Sequence, residues 1–207
     1  MRSPSEESKR WQGYYAAQAG RTTRPVFDEV MARFGPEPAG EERYAVELGC
    51  GDGTESLALL SRGWRVLACD KQPEAIALLR DRVPPQHLDR LETRVAATED
   101  LALPPCDLVY AGYSLPFIPP SRFAAAWQGI VQALRPGGRF AGQLFGDRDS
   151  WTVEPDMTFQ TRAQALALLA PLEVEEFRER EEDGNAFSGP KHWHIFDIIA
   201  RQRGPNG

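Results

Sequence analysis

The segment Val46 to Thr54, VELGCGDGT, sets an acidic residue, Glu47, two positions ahead of the alternating glycines Gly49, Gly51 and Gly53. Glycines so spaced allow a tight turn whose backbone can approach a ligand, and a helix beginning directly afterwards points its N-terminus at the same place. The bland reading is a strand-to-helix turn with no ligand; the glycine density favours a nucleotide-type cradle. A dinucleotide fingerprint needs G-x-G-x-x-G, but Thr54 stands at the third position, and the Lys of a P-loop is missing. The spacing E-x-G-x-G-x-G suits a ligand with positive charge near the turn better than a pyrophosphate. Asp70 follows Gly49 by about twenty residues, a separation that also suits the ribose of a nicotinamide dinucleotide, so an NAD-dependent oxidoreductase is the alternative.

Further along, His192 and His194 alternate with Trp193 in an extended stretch, which puts both imidazoles on one face and the indole on the other. They could line a substrate pocket, bind a metal or be ordinary sheet residues. The remaining histidine, His87, lies far off in a loop, so no metal is expected. Asp147, Arg148 and Asp149 follow a strand's carboxyl end, where substrates are contacted in α/β sheets. Near the N-terminus, Trp11, Tyr14, Tyr15, Arg21 and Arg24 could form a lid that covers a cofactor and binds its carboxylate or an anionic substrate; equally, the rings could pack on the sheet with the arginines in water. Cys50, Cys69 and Cys106 follow no metal or redox spacing and read as reduced structural thiols.

The elements that must position these residues alternate from residue 44 onward. Apolar runs predict strands at Tyr44 to Leu48, Trp64 to Cys69, Leu91 to Ala96, Cys106 to Ala111 and Arg139 to Phe145. Helical patterns fall between them: Thr54 to Ser61; a helix from Pro73 bearing Ile76, Leu79 and Val83; and one capped by Ser121 with a stripe of Phe123, Trp127, Ile130, Val131 and Leu134, stopped by Pro136-Gly137-Gly138. Such alternation implies right-handed crossovers and a doubly wound, mainly parallel α/β sheet, Rossmann-like, here expected to be seven-stranded. A helix at Thr161 to Leu169 precedes two extended segments, Leu172 to Glu182 and Lys191 to Arg201, joined by DGNAFSGP, which predict a C-terminal antiparallel hairpin. Residues 1–40 read as a separate helical segment or lid: a polar stretch to residue 10, helices at Trp11 to Ala19 and Pro25 to Phe34, then the linker GPEPAGEER. Residues 41–207 form the main domain.

Composition excludes several classes. With 24 basic and 30 acidic residues the net charge is −6, the wrong sign for neutralising many phosphates, so nucleic acid is not expected as a partner. The longest apolar run, Ala165 to Ala170, falls far short of the roughly 18 residues that span a bilayer. The first fifteen residues lack the apolar core of a secretory signal, and a cytoplasmic location is expected. The hairpin edge is a candidate dimer surface.

From residue 44 to 146 the chain resembles the class I S-adenosylmethionine-dependent methyltransferases: VELGCGDG, VLACD, VAATEDL, CDLVYAGYSL and LRPGGRF occur in the family's order at the strand and loop positions found above. GPKHWHIFDIIAR and LFGDRDSW look, more loosely, like bacterial tellurite-resistance-type members. The resemblance implies a methyltransferase for a small-molecule acceptor, with S-adenosylmethionine as cofactor; a non-catalytic S-adenosylmethionine-binding protein is a further alternative. It places Gly49, Cys50 and Gly51 at the cofactor's methionine part, Glu47 near its ammonium, Asp70 on both ribose hydroxyls, and Lys71 and Gln72 beside adenine. Many members have Asp where this chain has Ala97, so adenine's amino group falls to Thr98 and Glu99 or to backbone. Tyr110-Ala111-Gly112-Tyr113 replaces the Asn/Asp-Pro-Pro-aromatic set of enzymes that methylate planar amide or base nitrogens, which disfavours that chemistry. Ala111 and Gly112 then leave the methyl group facing an open pocket with Tyr113 and Ser114 at its wall. His192, His194 and Tyr113 are the candidate catalytic bases.

Overall fold

The computed structural model describes residues 11, 13–15, 17, 18, 20–35 and 42–204. Strands β1 (Tyr44–Leu48), β2 (Arg65–Asp70), β3 (Leu91–Val95), β4 (Cys106–Ala111) and β5 (Leu134–Gly146) run parallel in the order β3-β2-β1-β4-β5. A two-residue strand, β6 (Phe159–Gln160), pairs parallel with the end of β5 and makes the sheet eight-stranded rather than seven-stranded. The C-terminal hairpin, β7 (Glu173–Ala186) and β8 (Gly189–Arg201), completes it, β8 lying antiparallel to β5.

Side chains alternate across the strands and so build two cores. On one face Val46, Leu48, Leu67, Cys69, Val109 and Phe140 pack under α4 (Pro120–Ala133), through its Phe123, Trp127 and Ile130. On the other, Ala45, Val66, Ala68, Leu108 and Ala141 meet α1 (Pro25–Ala32), α2 (Thr54–Ser61) and α3 (Pro73–Arg82). The last helix, α5 (Arg162–Leu168), is opened by a capping box in which Thr161 and Gln164 bond each other's backbone N–H.

Three expectations change. Helix α4 starts at Pro120 after Pro119, so Ser121 lies inside it instead of capping it; proline at the first helical position leaves no N–H to satisfy. Pro136-Gly137-Gly138 does not end that helix. The chain is already extended at Leu134, and the three residues occupy a register shift between β4 and β5, where a Cβ on Gly138 would meet the Arg135 carbonyl at 2.9 Å and the Asp107 and Cys106 carbonyls at 3.1 Å. The hairpin is longer than expected: pairing continues to Ala186 and Gly189, leaving only Phe187 and Ser188 as its tip.

Residues 11, 13–15 and 17 are helical as expected, while the first ten residues and 36–41, most of the linker, lie outside the described residues. Helix α1 belongs to the core, with Phe27 and Val30 fully buried. Among the described residues no helix is long and apolar enough to cross a membrane, and all three cysteines are free and buried. Burial pushes the Cys69 and Cys106 thiols up to about 12, which leaves them poor nucleophiles.

Trp127 stands edge-on to Phe140 at 4.9 Å and donates its indole N–H to the Leu168 carbonyl at 2.9 Å. Trp127→Ala is expected to lower the unfolding free energy by about 3–5 kcal/mol, read from urea denaturation followed by circular dichroism.

Candidate active site

A cavity of about 990 Å³ opens at the carboxyl ends of the parallel strands, lined by the β1–α2 turn, the ends of β2 and β4, the N-terminal segment and the hairpin. Gly49, Gly51 and Gly53 all adopt positive φ. At Gly49 a Cβ would meet the Ser114 side chain at 2.5 Å, so only glycine lets β1 and the residues after β4 close up here. The turn's N–H groups point into the protein: Gly49 and Cys50 donate to the Cys69 carbonyl at 2.8 and 2.9 Å, and Gly51 donates to Asp70 Oδ2 at 2.9 Å. An anion therefore finds no amide at these three residues. The carboxylates of Glu47, Asp52, Glu55 and Asp70 line the same part of the cavity. Donor exhaustion and negative charge together suit a cationic group and oppose a pyrophosphate.

Glu47 is buried and accepts a hydrogen bond from Ser56 Oγ. Burial, with Glu55 nearby, holds its carboxyl well above the ordinary range. Asp70, the last residue of β2, is also buried, and burial raises its pKa in spite of bonds from the Gly51 and Gln72 N–H groups and the Tyr15 hydroxyl, the last at 3.4 Å. It does not cap α3, whose cap is Gln72.

Lys71, Ala97, Thr98 and Glu99 line the cavity beyond Asp70, whereas Gln72, expected beside them, does not. Gly112, Tyr113 and Ser114 also line it. Ala111 is turned into the core instead, because strand alternation gives the cavity side to Tyr110. The buried Tyr110 hydroxyl has no hydrogen-bond partner among the described residues. Tyr113 is the one described non-glycine residue at positive φ, 59°; its hydroxyl accepts from Arg180 Nη2 at 3.1 Å.

The two histidines are not at the cavity. Trp193 faces it, as strand alternation requires, and His192 and His194 face away. His194 is fully buried, with Nδ1 accepting the Arg148 N–H at 3.1 Å and Nε2 lying 2.9 Å from Glu179. His192 bonds Asp183 at 2.7 Å and Glu181 at 3.1 Å, and these carboxylates raise its pKa. No group of side chains able to hold a metal occurs among the described residues. Asp147, Arg148 and Asp149 also lie off the cavity: Arg148 binds Glu179 and Glu181, and Asp149 forms a fully buried ion pair with Lys191.

The N-terminal residues Trp11, Tyr14, Tyr15, Arg21 and Arg24 all line the cavity. Arg21 clamps them to α2 through both carboxylate oxygens of Glu55, at 2.6 and 2.5 Å, and through Asp52 at 2.9 Å. Arg180, Trp151 and Met157, which sequence patterns did not single out, complete the far side. Arg180 sits in an unremarkable run of alternating charges, and only the length of the hairpin carries it over the cavity; Trp151 carried a sequence signal only as part of LFGDRDSW.

A doubly wound sheet with a buried acidic residue on each of its first two strands, and a glycine turn after the first whose Gly49, Cys50 and Gly51 amides are already bonded, suits a nucleoside that carries a positive charge. The comparisons agree: the methyltransferase domain family matches residues 45–138. Residues 45–138 are thus a methyltransferase domain, similar to the class I S-adenosylmethionine-dependent methyltransferases, whose cofactor is S-adenosylmethionine. It is 32% identical over 146 residues to trans-aconitate 2-methyltransferase of Variovorax paradoxus (strain S110), a match covering 67% of this chain and 51% of that protein. The chain thus spans about half the length of that curated relative. Its fold is similar to that of TehB from Haemophilus influenzae, with a TM-score of 0.73 at 16% identity over 93% of this chain and 67% of that one. A Burkholderia thailandensis 1,6-didemethyltoxoflavin-N1-methyltransferase, solved with 1,6-didemethyltoxoflavin and S-adenosylhomocysteine, gives a TM-score of 0.63 at 17% identity over 98% and 92% of the two chains. The oxidoreductase and non-catalytic alternatives find no support among these relatives.

The Lys191 ammonium, depressed by burial despite Asp149, is surrounded by Trp151, Trp193 and Phe145 at 3.9, 4.4 and 5.1 Å from the ring centroids. Asp149→Ala strands that buried charge and is expected to cost about 3–5 kcal/mol of stability in urea titration. The double variant Asp149→Ala/Lys191→Met should recover part of the loss.

Proposed function

We propose that this chain transfers the methyl group of S-adenosylmethionine to a small-molecule acceptor by in-line displacement. The observation that carries the reading is the Asp70 carboxylate, presented to the cavity at the end of β2 beside the glycine turn. The donor set fits the cofactor: two buried carboxylates for its cationic and hydroxyl groups, an unpaired Tyr110 hydroxyl, and a cavity of about 990 Å³, within the size usual for such ligands. Bound S-adenosylmethionine supplies a methyl carbon that its sulfonium has already made electrophilic.

The chain's own residues have three tasks. Glu47, Gly49, Cys50 and Gly51 hold the methionine part, and a cation beside Glu47 offsets the burial that holds its carboxyl above the ordinary range. Asp70 takes the ribose hydroxyls, with Lys71, Thr98 and Glu99 at the adenine. Gly112 and Tyr113 border the path of the methyl group, where alignment and exclusion of water provide most of the acceleration. Of the three predicted bases only Tyr113 lies on the cavity; a base is needed only for an acceptor that carries a proton on its nucleophile at neutral pH. A small acceptor fits the cavity of about 990 Å³ and the net charge of −6, and trans-aconitate 2-methyltransferase and the toxoflavin enzyme carry small molecules in their names. Residues 11–24 act as the lid, held by Arg21, while α1 stays with the core.

Asp70→Ala is expected to weaken S-adenosylhomocysteine binding at least about 100-fold in calorimetry, since two charge-assisted bonds of roughly 1.5–3 kcal/mol each are lost. Unchanged affinity would overturn the assignment. Because burial raises the Asp70 pKa, wild-type affinity should fall on acidification at a pH above the ordinary aspartate range, and Asp70→Asn should lack that fall. Removing residues 1–24 should speed S-adenosylhomocysteine release in stopped-flow measurements while the far-ultraviolet circular dichroism of the core persists.

A further inference from the structure

Resting on the methyltransferase reading of the cavity, we propose that its acceptor is a planar aromatic acid, stacked on the aromatic wall with its anionic group on Arg24. The wall is continuous. Phe117, Trp151, Phe145, Trp193 and Tyr113 line the cavity with neighbouring ring centroids 5.7–6.3 Å apart. These spacings are those at which aromatic rings attract one another, and a flat ring added to the set gains the same contacts.

Charge selects among flat molecules. Lys191 does not line the cavity, yet its ammonium, paired with Asp149, lies over the rings of Trp151 and Trp193. A cation already on one face draws on the ring's negative quadrupole and leaves the wall a weaker partner for a second cation, so it favours electron-rich or anionic guests. Arg24 provides the counter-charge. Arg21 is matched by Glu55 and Asp52, and Arg180 by Asp197 and Glu182. Arg24 lines the same cavity with its guanidinium 4.7 Å from the centre of the Tyr113 ring and one contact to the Tyr14 hydroxyl at 3.4 Å; no carboxylate among the described residues pairs with it. A guanidinium fixed over a ring with its fork open is suited to a carboxylate. Its place over Tyr113, at the aromatic wall, assigns that carboxylate to the acceptor rather than to the cofactor.

The test compares naphthalene-2-carboxylate with naphthalene-2-carboxamide by calorimetry on the full chain saturated with S-adenosylhomocysteine. Wild type should bind the acid at least tenfold more tightly than the amide. Arg24→Gln should abolish that preference and leave the amide within twofold, and Arg24→Lys should keep part of it. Equal binding of acid and amide, a preference that survives Arg24→Gln, or failure of both probes to bind at millimolar concentration would each overturn the proposal. So would an Arg24→Gln variant that loses S-adenosylhomocysteine affinity but keeps that for methylthioadenosine, for then the arginine holds the cofactor's carboxylate. Should wild type fail to bind S-adenosylhomocysteine at all, the methyltransferase reading falls by itself, and the acid-to-amide ratio on the ligand-free chain still reports the anion site.

Discussion

The carboxylate of Asp70 is the joint on which the site is built. One of its oxygens takes the Gly51 N–H and the other the Gln72 N–H, so the glycine turn, the end of β2 and the start of α3 are fixed to one buried group. Burial acts against the charge while the two amides support it. The Cys69 carbonyl, one residue earlier, holds the Gly49 and Cys50 N–H groups. Gly49, Cys50 and Gly51 are therefore anchored to β2, and none of these three amides is left for an anion. The same scaffold that serves dinucleotides elsewhere is turned here toward a ligand with positive charge.

The parallel core was legible because each buried strand writes its own period. In β1, β2 and β4 apolar residues fill both faces, as a sheet covered by helices demands, and the stripe Phe123, Trp127, Ile130 marks the helix that covers one of them. Chain punctuation was less legible. Pro136-Gly137-Gly138 has the composition of a helix stop, yet it serves as a strand irregularity, lying where pairing with β4, distant in sequence, shifts register between Cys106 and Leu108. DGNAFSGP reads as a loop, but its residues pair across the hairpin nearly to the tip.

That Glu47, the glycines and Asp70 share one cavity could be read from local pattern, since all lie at the ends of adjacent strands. Ala111 went the other way for a simple reason: alternation at the end of β4 reserves the cavity for Tyr110 and Gly112. The opposite wall was legible only in part: Arg24 stood out with the N-terminal aromatics, but Arg180 comes from the far strand of the hairpin and Trp151 from a short helical turn, and only tertiary packing brings them together. The histidines drew notice by residue type, yet their alternation with Trp193 already allowed just one side of that strand to meet the cavity.

Strand β7 forms one margin of the sheet and carries Glu173, Glu175, Glu176, Glu179, Glu181, Glu182 and Asp183 beside Arg178 and Arg180. An unpaired margin of fourteen residues is long enough to recruit a second strand. Two copies laid margin to margin would bring these carboxylates together, several of them already paired with Arg139, Arg148 and Arg162 of their own copy. The sequence of β7 thus discourages sheet extension in solution, and a self-association of this chain through that margin would have to overcome its charge.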